Sequence, residues 1–335
     1  MVLFKRAGDL TRWLQEQKAA GKTIGFVPTM GALHAGHISL IDISRKTAGL
    51  TVCSIFVNPT QFNDPKDFSK YPITIEKDIL QLERAGTDVL FLPEVADLYP
   101  AGTGDLEKYD LGRLESLLEG KYRPGHFQGV CQVVRRLLDI VAPDELFMGQ
   151  KDYQQCMVVS RLLAIRGYST RLHPCPIGRE PDGLAMSSRN MRLTESERKK
   201  APAIYQALLG LKEGWRAETA FADGGTGGQQ VMGDPGTAAR REALIARAKA
   251  LLEQNDFRVD YVEIADALTL EPLPKGPAAH VDPLHAGSSQ GDLLQGDSPQ
   301  GVPLQAESSS SSSSAIALIA AFQGEIRLID NMLLN

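Results

Sequence analysis

The chain is short of several things that would place it quickly. Its 335 residues hold only four cysteines, Cys53, Cys131, Cys156 and Cys175, and none forms a C-x-x-C pair. Neither a cysteine-ligated zinc site nor a dithiol redox motif is expected, and the four thiols read as small hydrophobes of a reducing cytosol. Long apolar runs are missing as well. The stretch Ala315–Phe322 is clean for eight residues, whereas a membrane span needs about 20. At the start, MVLFKRAGD meets Lys5 and Asp9 too early for a signal-peptide core. Positive charge is not in excess: 36 Lys and Arg face 41 Asp and Glu, a net charge of -5. That balance argues against a protein that coats nucleic acid or an anionic membrane. A cytoplasmic protein with no membrane and no nucleic-acid partner is expected.

What is present is ordinary globular material, 43% hydrophobic and 23% charged, long enough for two domains. Through residue 178, short β-branched or apolar runs alternate with helical periodicity. Ile24–Pro28, Thr51–Val57, Asp88–Leu92 and Glu145–Met148 read as buried strands. Helices are expected around Leu10–Leu14, over Gly36–Lys46, Thr74–Ala85 and Tyr153–Ile165, and along the stripe Val130, Val133, Val134, Leu137, Leu138, Val141. Strands alternating with helices predict an α/β fold, a Rossmann-like parallel sheet with helices on both faces. After residue 178 the pattern changes. Thr194–Lys212, opened by a Thr194-x-x-Glu197 capping box, and Ala238–Asn255 read as helices. Val259–Ile264, Ala315–Phe322 and Ile326–Ile329 read as strands, so residues 179–335 are expected to form a smaller α+β domain. Two segments fit neither part. Residues 223–236 hold six Gly and one Pro, and residues 276–314 hold five Gly, four Pro and ten Ser. Both are expected to be low-complexity surface loops.

The chemistry gathers in four clusters that follow expected strands or open expected helices. Pro28–His37, PTMGALHAGH, runs from a strand into a helix, and His34 and His37 bracket the turn. A helix N-terminus offers free N–H groups and partial positive charge, which suit a phosphate; two imidazoles add hydrogen-bond donors. An isolated H-x-G-H also fits two histidines on a surface turn. The turn has neither a G-x-G-x-x-G nor a Walker A pattern. SIFVNPTQF (54–62) brings Asn58 and Gln61, which suit a small polar substrate. GQKDYQQ (149–155) brings Lys151 as a point charge for phosphate, Asp152, and Gln155 on the first helical turn. PIGREPDGLAMSSRN (176–190) brings Ser187, Ser188 and Arg189, a set of donors that reads as a phosphate clamp. His126, in GHFQGV, reads as structural.

Together with RPGHFQGV and the terminal RLIDN (327–331), these segments resemble the pantothenate synthetase family, AMP-forming pantoate–β-alanine ligases of the H-x-G-H nucleotidylyltransferase superfamily. The resemblance runs over about residues 1–275 and resumes at 315–331. It implies a two-step reaction: pantoate attacks ATP to give pantoyl adenylate and pyrophosphate, then β-alanine gives pantothenate and AMP. It implies Met30, Gly31, Ala32, Leu33, His34, Ala35, Gly36, His37, Gly149, Gln150, Lys151, Asp152, Gly178, Met186, Ser187, Ser188 and Arg189 as the ATP site. His37 is implied as proton donor beside His34, Lys151 and Arg189. Gln61 is implied at pantoate and β-alanine, and Gln155 at pantoate. A homodimer and Mg²⁺ with the ATP are implied; the metal ligands are not, although Asp78 is one possibility. The chain departs from the family pattern at Ile73, where an arginine is common, at Gly178, where an apolar side chain is usual, and in the insertion 276–314. The rivals are another nucleotidyl transfer on the same fold, such as an aminoacyl-tRNA synthetase or a cytidylyltransferase, and a nucleotide-binding protein without activity. Against the synthetase, no basic tRNA-binding extension is present. Against the inactive protein, every expected polar side chain is in place.

Overall fold

The computed structural model describes residues 1–62, 68–104, 106–223, 235–273 and 314–335. Six parallel strands form the larger sheet: β1 (Val2–Phe4), β2 (Ile24–Thr29), β3 (Leu50–Ile55), β4 (Val89–Phe91), β5 (Glu145–Gly149) and β6 (Arg171–Cys175). Their order across the sheet is β1-β4-β3-β2-β5-β6. The alternation of side chains along each strand feeds two cores. Phe26, Val52 and Leu146 pack on one face with α1 (Ala7–Ala19), α4 (His126–Val141) and α5 (Tyr153–Arg166). Val27, Cys53 and Phe147 pack on the other with α2 (Ala35–Thr47) and α3 (Ile75–Arg84). The valine and leucine stripe of α4 is buried, and the helix ends at Ala142 in a left-handed conformation just before Pro143. This is the Rossmann-like α/β arrangement expected.

The smaller sheet is antiparallel, in the order β7 (Phe257–Asp266), β8 (Ala315–Gln323), β9 (Ile326–Leu333). Leu208, Leu211 and Leu252, from α6 (Ala203–Asp223) and α7 (Pro235–Gln254), cover one of its faces through Val262, Ile264 and Ile319. Its other face places Tyr261, Ile316 and Leu318 against Tyr153 and Met157 of α5. The small sheet is therefore packed on the helix that follows β5, next to the loops where the chemistry was expected.

Three expectations change. The helix expected over Thr194–Lys212 is two: the capping box starts Glu195–Lys200, and a second helix starts at Ala203 after Pro202. A proline in the interior of a helix removes one hydrogen bond and clashes with the preceding turn. Strands β1 and β6 were not expected, and both lie at the sheet's edges. The loop expected at 223–236 is narrower, since α6 reaches Asp223 and α7 begins at Pro235; its remainder, and nearly all of 276–314, lie outside the described residues.

Candidate active site

Strand β2 pairs with β3 on one side and β5 on the other. The chain thus winds outward in opposite directions from β2, and the crevice at such a switch point is where open α/β sheets bind ligands. The four polar clusters follow β2, β3, β5 and β6, four adjacent strands. They meet around a cavity of about 220 Å³ lined by Met30, His34, Gly36, His37, Asn58, Gln61, Gly149, Lys151, Asp152, Gln155, Gly178, Met186, Ser187, Ser188 and Arg189. An outer cavity of about 660 Å³ shares Lys151, Asp152, Ser187 and Arg189 with it and extends to Arg258 and Arg327 of the small sheet.

Five of the residues implied for ATP do not line the inner cavity. Gly31, Ala32 and Leu33 form the buried underside of the turn. The amide of Gly31 donates to Thr29 Oγ1 at 3.2 Å, and those of Ala32 and Leu33 donate to the two carboxylate oxygens of Asp78, each at 2.9 Å. Asp78 also accepts the Thr74 hydroxyl at 3.0 Å and is fully buried. Its lone pairs hold the turn, so it is not placed to serve as a metal ligand. Ala35 is exposed. Gln150 contributes its backbone carbonyl to Asn331.

Above that underside, His34 caps α2, and its backbone N–H donates to Nδ1 of His37 at 3.4 Å. The proton of a neutral His37 is thereby placed on Nε2. The two rings lie 4.0 Å apart between centroids. Burial, then the positive charge of Lys151, lowers His34 to about 4. Burial, then His34 and Lys151, lowers His37 to about 3. Both imidazoles are therefore neutral near pH 7, and each has one N–H to give.

Gln61 is aimed by its neighbours. Asn58, buried at the end of β3, donates to Gln61 Oε1 and to the Gly129 carbonyl, both at 3.1 Å, and accepts from the Tyr99 hydroxyl at 2.8 Å. Its amide is committed to holding Gln61. A Cβ on Gly129 would stand 2.3 Å from the Thr60 carbonyl oxygen, so only glycine lets α4 approach this turn. The structural reading of His126 holds, and the structure sharpens it. Arg123 can only donate, so its contact with His126 Nε2 at 3.1 Å makes that nitrogen the acceptor, and Nδ1–H donates to the Gln61 carbonyl at 2.8 Å. Burial and Arg123 push His126 down to about 3. Gln154 and Gln155 separate by helical phase: Gln154 donates to the Leu114 and Leu117 carbonyls, and Gln155 faces the cavity.

On the opposite wall, Ser188 shares a hydrogen with the Tyr71 hydroxyl at 3.1 Å, while Ser187 Oγ accepts the Arg189 amide at 3.2 Å. Lys151 is largely buried and lies 3.8 Å from Asp152. The Gly178 carbonyl accepts the Met186 amide at 2.9 Å, and a Cβ at Gly178 would meet Gly36 Cα at 2.9 Å. In this chain the loop packs closely on the H-x-G-H turn at Gly178. Ile73, at the other departure, is 76% exposed and takes no part in the cavity. The sequence assigns no role to Tyr71, Arg179, Asp330 or Asn331, whose partners lie far away in the chain, nor to Arg123, which bonds its neighbour His126.

The comparisons with known proteins agree with this geometry. The family described as pantoate-beta-alanine ligase matches residues 2–333. A pantothenate synthetase from Bacteroides thetaiotaomicron is 37% identical over 97% of this chain and 95% of its own length. One from Cytophaga hutchinsonii is 43% identical over 82% of this chain and 89% of its own. Among solved structures, the Thermus thermophilus pantothenate synthetase superposes with a TM-score of 0.75 at 34% identity, covering 100% of this chain and 99% of that one. A Francisella tularensis pantoate-beta-alanine ligase, crystallised with beta-gamma ATP and beta-alanine, gives 0.68 at 30% identity over 100% and 98%. With a parallel sheet whose switch-point crevice gathers His34, His37, Lys151 and Arg189, and with relatives of this closeness, the chain belongs to the pantoate-beta-alanine ligase family.

Proposed function

We propose that the chain condenses pantoate with β-alanine in an ATP-dependent reaction through a pantoyl adenylate, and that the inner cavity is where both steps occur. The observation that carries this reading is the convergence of two neutral imidazoles, Lys151, Ser187, Ser188 and Arg189 on one side of a cavity whose other side presents Gln61 and Gln155. In the first step a pantoate carboxylate oxygen bonds to the α-phosphorus. The bond to the bridging oxygen breaks, and its electron pair leaves with pyrophosphate. Negative charge grows on the phosphoryl oxygens and the leaving group, where Lys151, Arg189 and the serine hydroxyls stand as fixed donors. His37 donates through Nε2–H of its neutral ring, with His34 beside it. Gln61 and Gln155 hold pantoate. In the second step the amine of β-alanine, also oriented by Gln61, attacks the activated carbonyl, and AMP leaves. Mg²⁺ bound with the nucleotide would neutralise phosphate charge, and Asp152, the carboxylate that lines both cavities, would hold it.

Residues 1–178 supply most of the ATP and pantoate walls in this reading, Met186–Arg189 complete the ATP wall, and the rest of residues 179–335 covers the crevice and shields the adenylate from water. We place the protein in the cytoplasm as a homodimer; the four free cysteines support the first, and the family resemblance supports the second. No helix among the described residues is long and apolar enough to cross a membrane. The deciding experiment is release of AMP and pyrophosphate by the purified protein with Mg²⁺. AMP forms only when ATP, pantoate and β-alanine are all present. A protein that makes no AMP under that condition is not a ligase of this kind.

A further inference from the structure

The motif RLIDN lies in β9, in the small sheet, and lines the inner cavity with none of its residues. Its last two residues nevertheless reach both ATP-binding loops. The Asn331 side-chain amide uses both hydrogens, donating to the Gln150 carbonyl at 3.0 Å and to the Lys151 carbonyl at 2.9 Å. Asn331 is 2% exposed. Beside it, buried Asp330 accepts the Asn331 backbone amide at 2.8 Å and takes a two-pronged bond from Arg179, at 2.7 and 3.0 Å. Arg179 directly follows Gly178 and stacks on Tyr205, 4.4 Å from its ring centre. Two consecutive residues of one strand thus grip the turn that carries Lys151 and the loop that carries Gly178.

We infer that Asn331 is a positioning residue for Lys151. Resting on the function proposed above, this adds a role for a residue that touches no substrate. Lys151 sits in a short 3-10 turn, Gln150–Asp152, between β5 and α5. Its long side chain has four rotatable bonds and no pre-organised geometry of its own. The backbone must therefore supply the precision, and here two of that turn's carbonyls are fixed from outside by one buried amide. A misplacement of about 1 Å at a reacting group costs on the order of 10²-fold in rate.

The test is a double-mutant cycle read in single turnovers, as pyrophosphate released from ATP and pantoate. Asn331→Ala slows that step roughly 10²-fold. In a Lys151→Ala background the same change costs less than about twofold, because residues acting through one another are not additive. Asn331→Ser keeps one donor and falls between Asn331→Ala and the parent; if Asn331→Ala does not fold, the cycle is run with Asn331→Ser. A parent-like rate in the single variant overturns the inference, and so does an undiminished loss in the Lys151→Ala background. Either result leaves the ligase reading intact, since that reading fails only if the parent chain makes no AMP.

Discussion

His34 and His37 are kept uncharged, chiefly by burial and further by the nearby Lys151, so in the reaction proposed above they offer hydrogen bonds rather than positive charge. Removing one such donor to developing charge costs about 10²–10³ in rate. His37→Ala is expected to lose adenylate formation by that factor, measured as pyrophosphate released without β-alanine; a near-parent rate would remove its role. The pH dependence of stability follows from the same shifts. His34, His37 and His126 all bind protons less readily when folded. Below pH about 6.5 the unfolded chain takes up protons that the folded one refuses, so stability falls as pH falls, toward the folded values near 4 and 3. The thermal midpoint should drop between roughly pH 7 and 5.5, above the carboxylate range; a flat midpoint would contradict histidines that are neutral in the folded chain. At this scale the residues that line the inner cavity were legible, because H-x-G-H and Gly-Gln-Lys-Asp place charge and donors next to strand ends. The division of labour was not. Asn58 and Gln61 look alike in sequence, and only the Gly129 carbonyl and the Tyr99 hydroxyl make Asn58 the support that holds Gln61 at the cavity.

Between elements, the decisive link is Asp78 on α3. Its carboxylate fastens the turn between β2 and α2 through two amides and the Thr74 hydroxyl. Asp78→Asn offers one acceptor where two amides donate and brings its own N–H groups against them. The change should cost about 1–3 kcal/mol of stability and loosen the turn that carries His34. The expected readout is a lower unfolding midpoint together with slower AMP release. An unaltered midpoint would mean that the turn holds itself. Elements with long periodic faces were legible. The stripe of α4 and the apolar run of β3 could be read directly. Strand β1 has only three residues, too few for a pattern. Strand β6, RLHPC, carries a proline that an edge position tolerates, so its sequence does not look like a strand. Pro202 broke a helix that the apolar spacing alone continued.

Across the whole molecule, the small sheet is covered by α6 and α7 on one face and docked on α5 by the other. The connection between Leu273 and Ser314 leaves from the end of the β7–β8 pair where Asp266 faces Ala315 and the Ala267 amide donates to the Ser314 carbonyl at 2.8 Å. Loop length enters closure entropy only logarithmically. Replacing residues 276–313 with a short Gly-Ser link should therefore leave kcat within about twofold; a large loss would give that segment a part in turnover. The second sheet was legible in the strands expected over Val259–Ile264, Ala315–Phe322 and Ile326–Ile329, but its docking on α5 was not, since that rests on side chains more than a hundred residues apart. One pair of side chains sets a timetable. Asn331 and Asp330 belong to β9, which follows every other described element in the chain, and domains form in order as the polypeptide emerges. A chain shortened before β9 would keep Lys151 and Gly178 but lose the two side chains that tie their loops together.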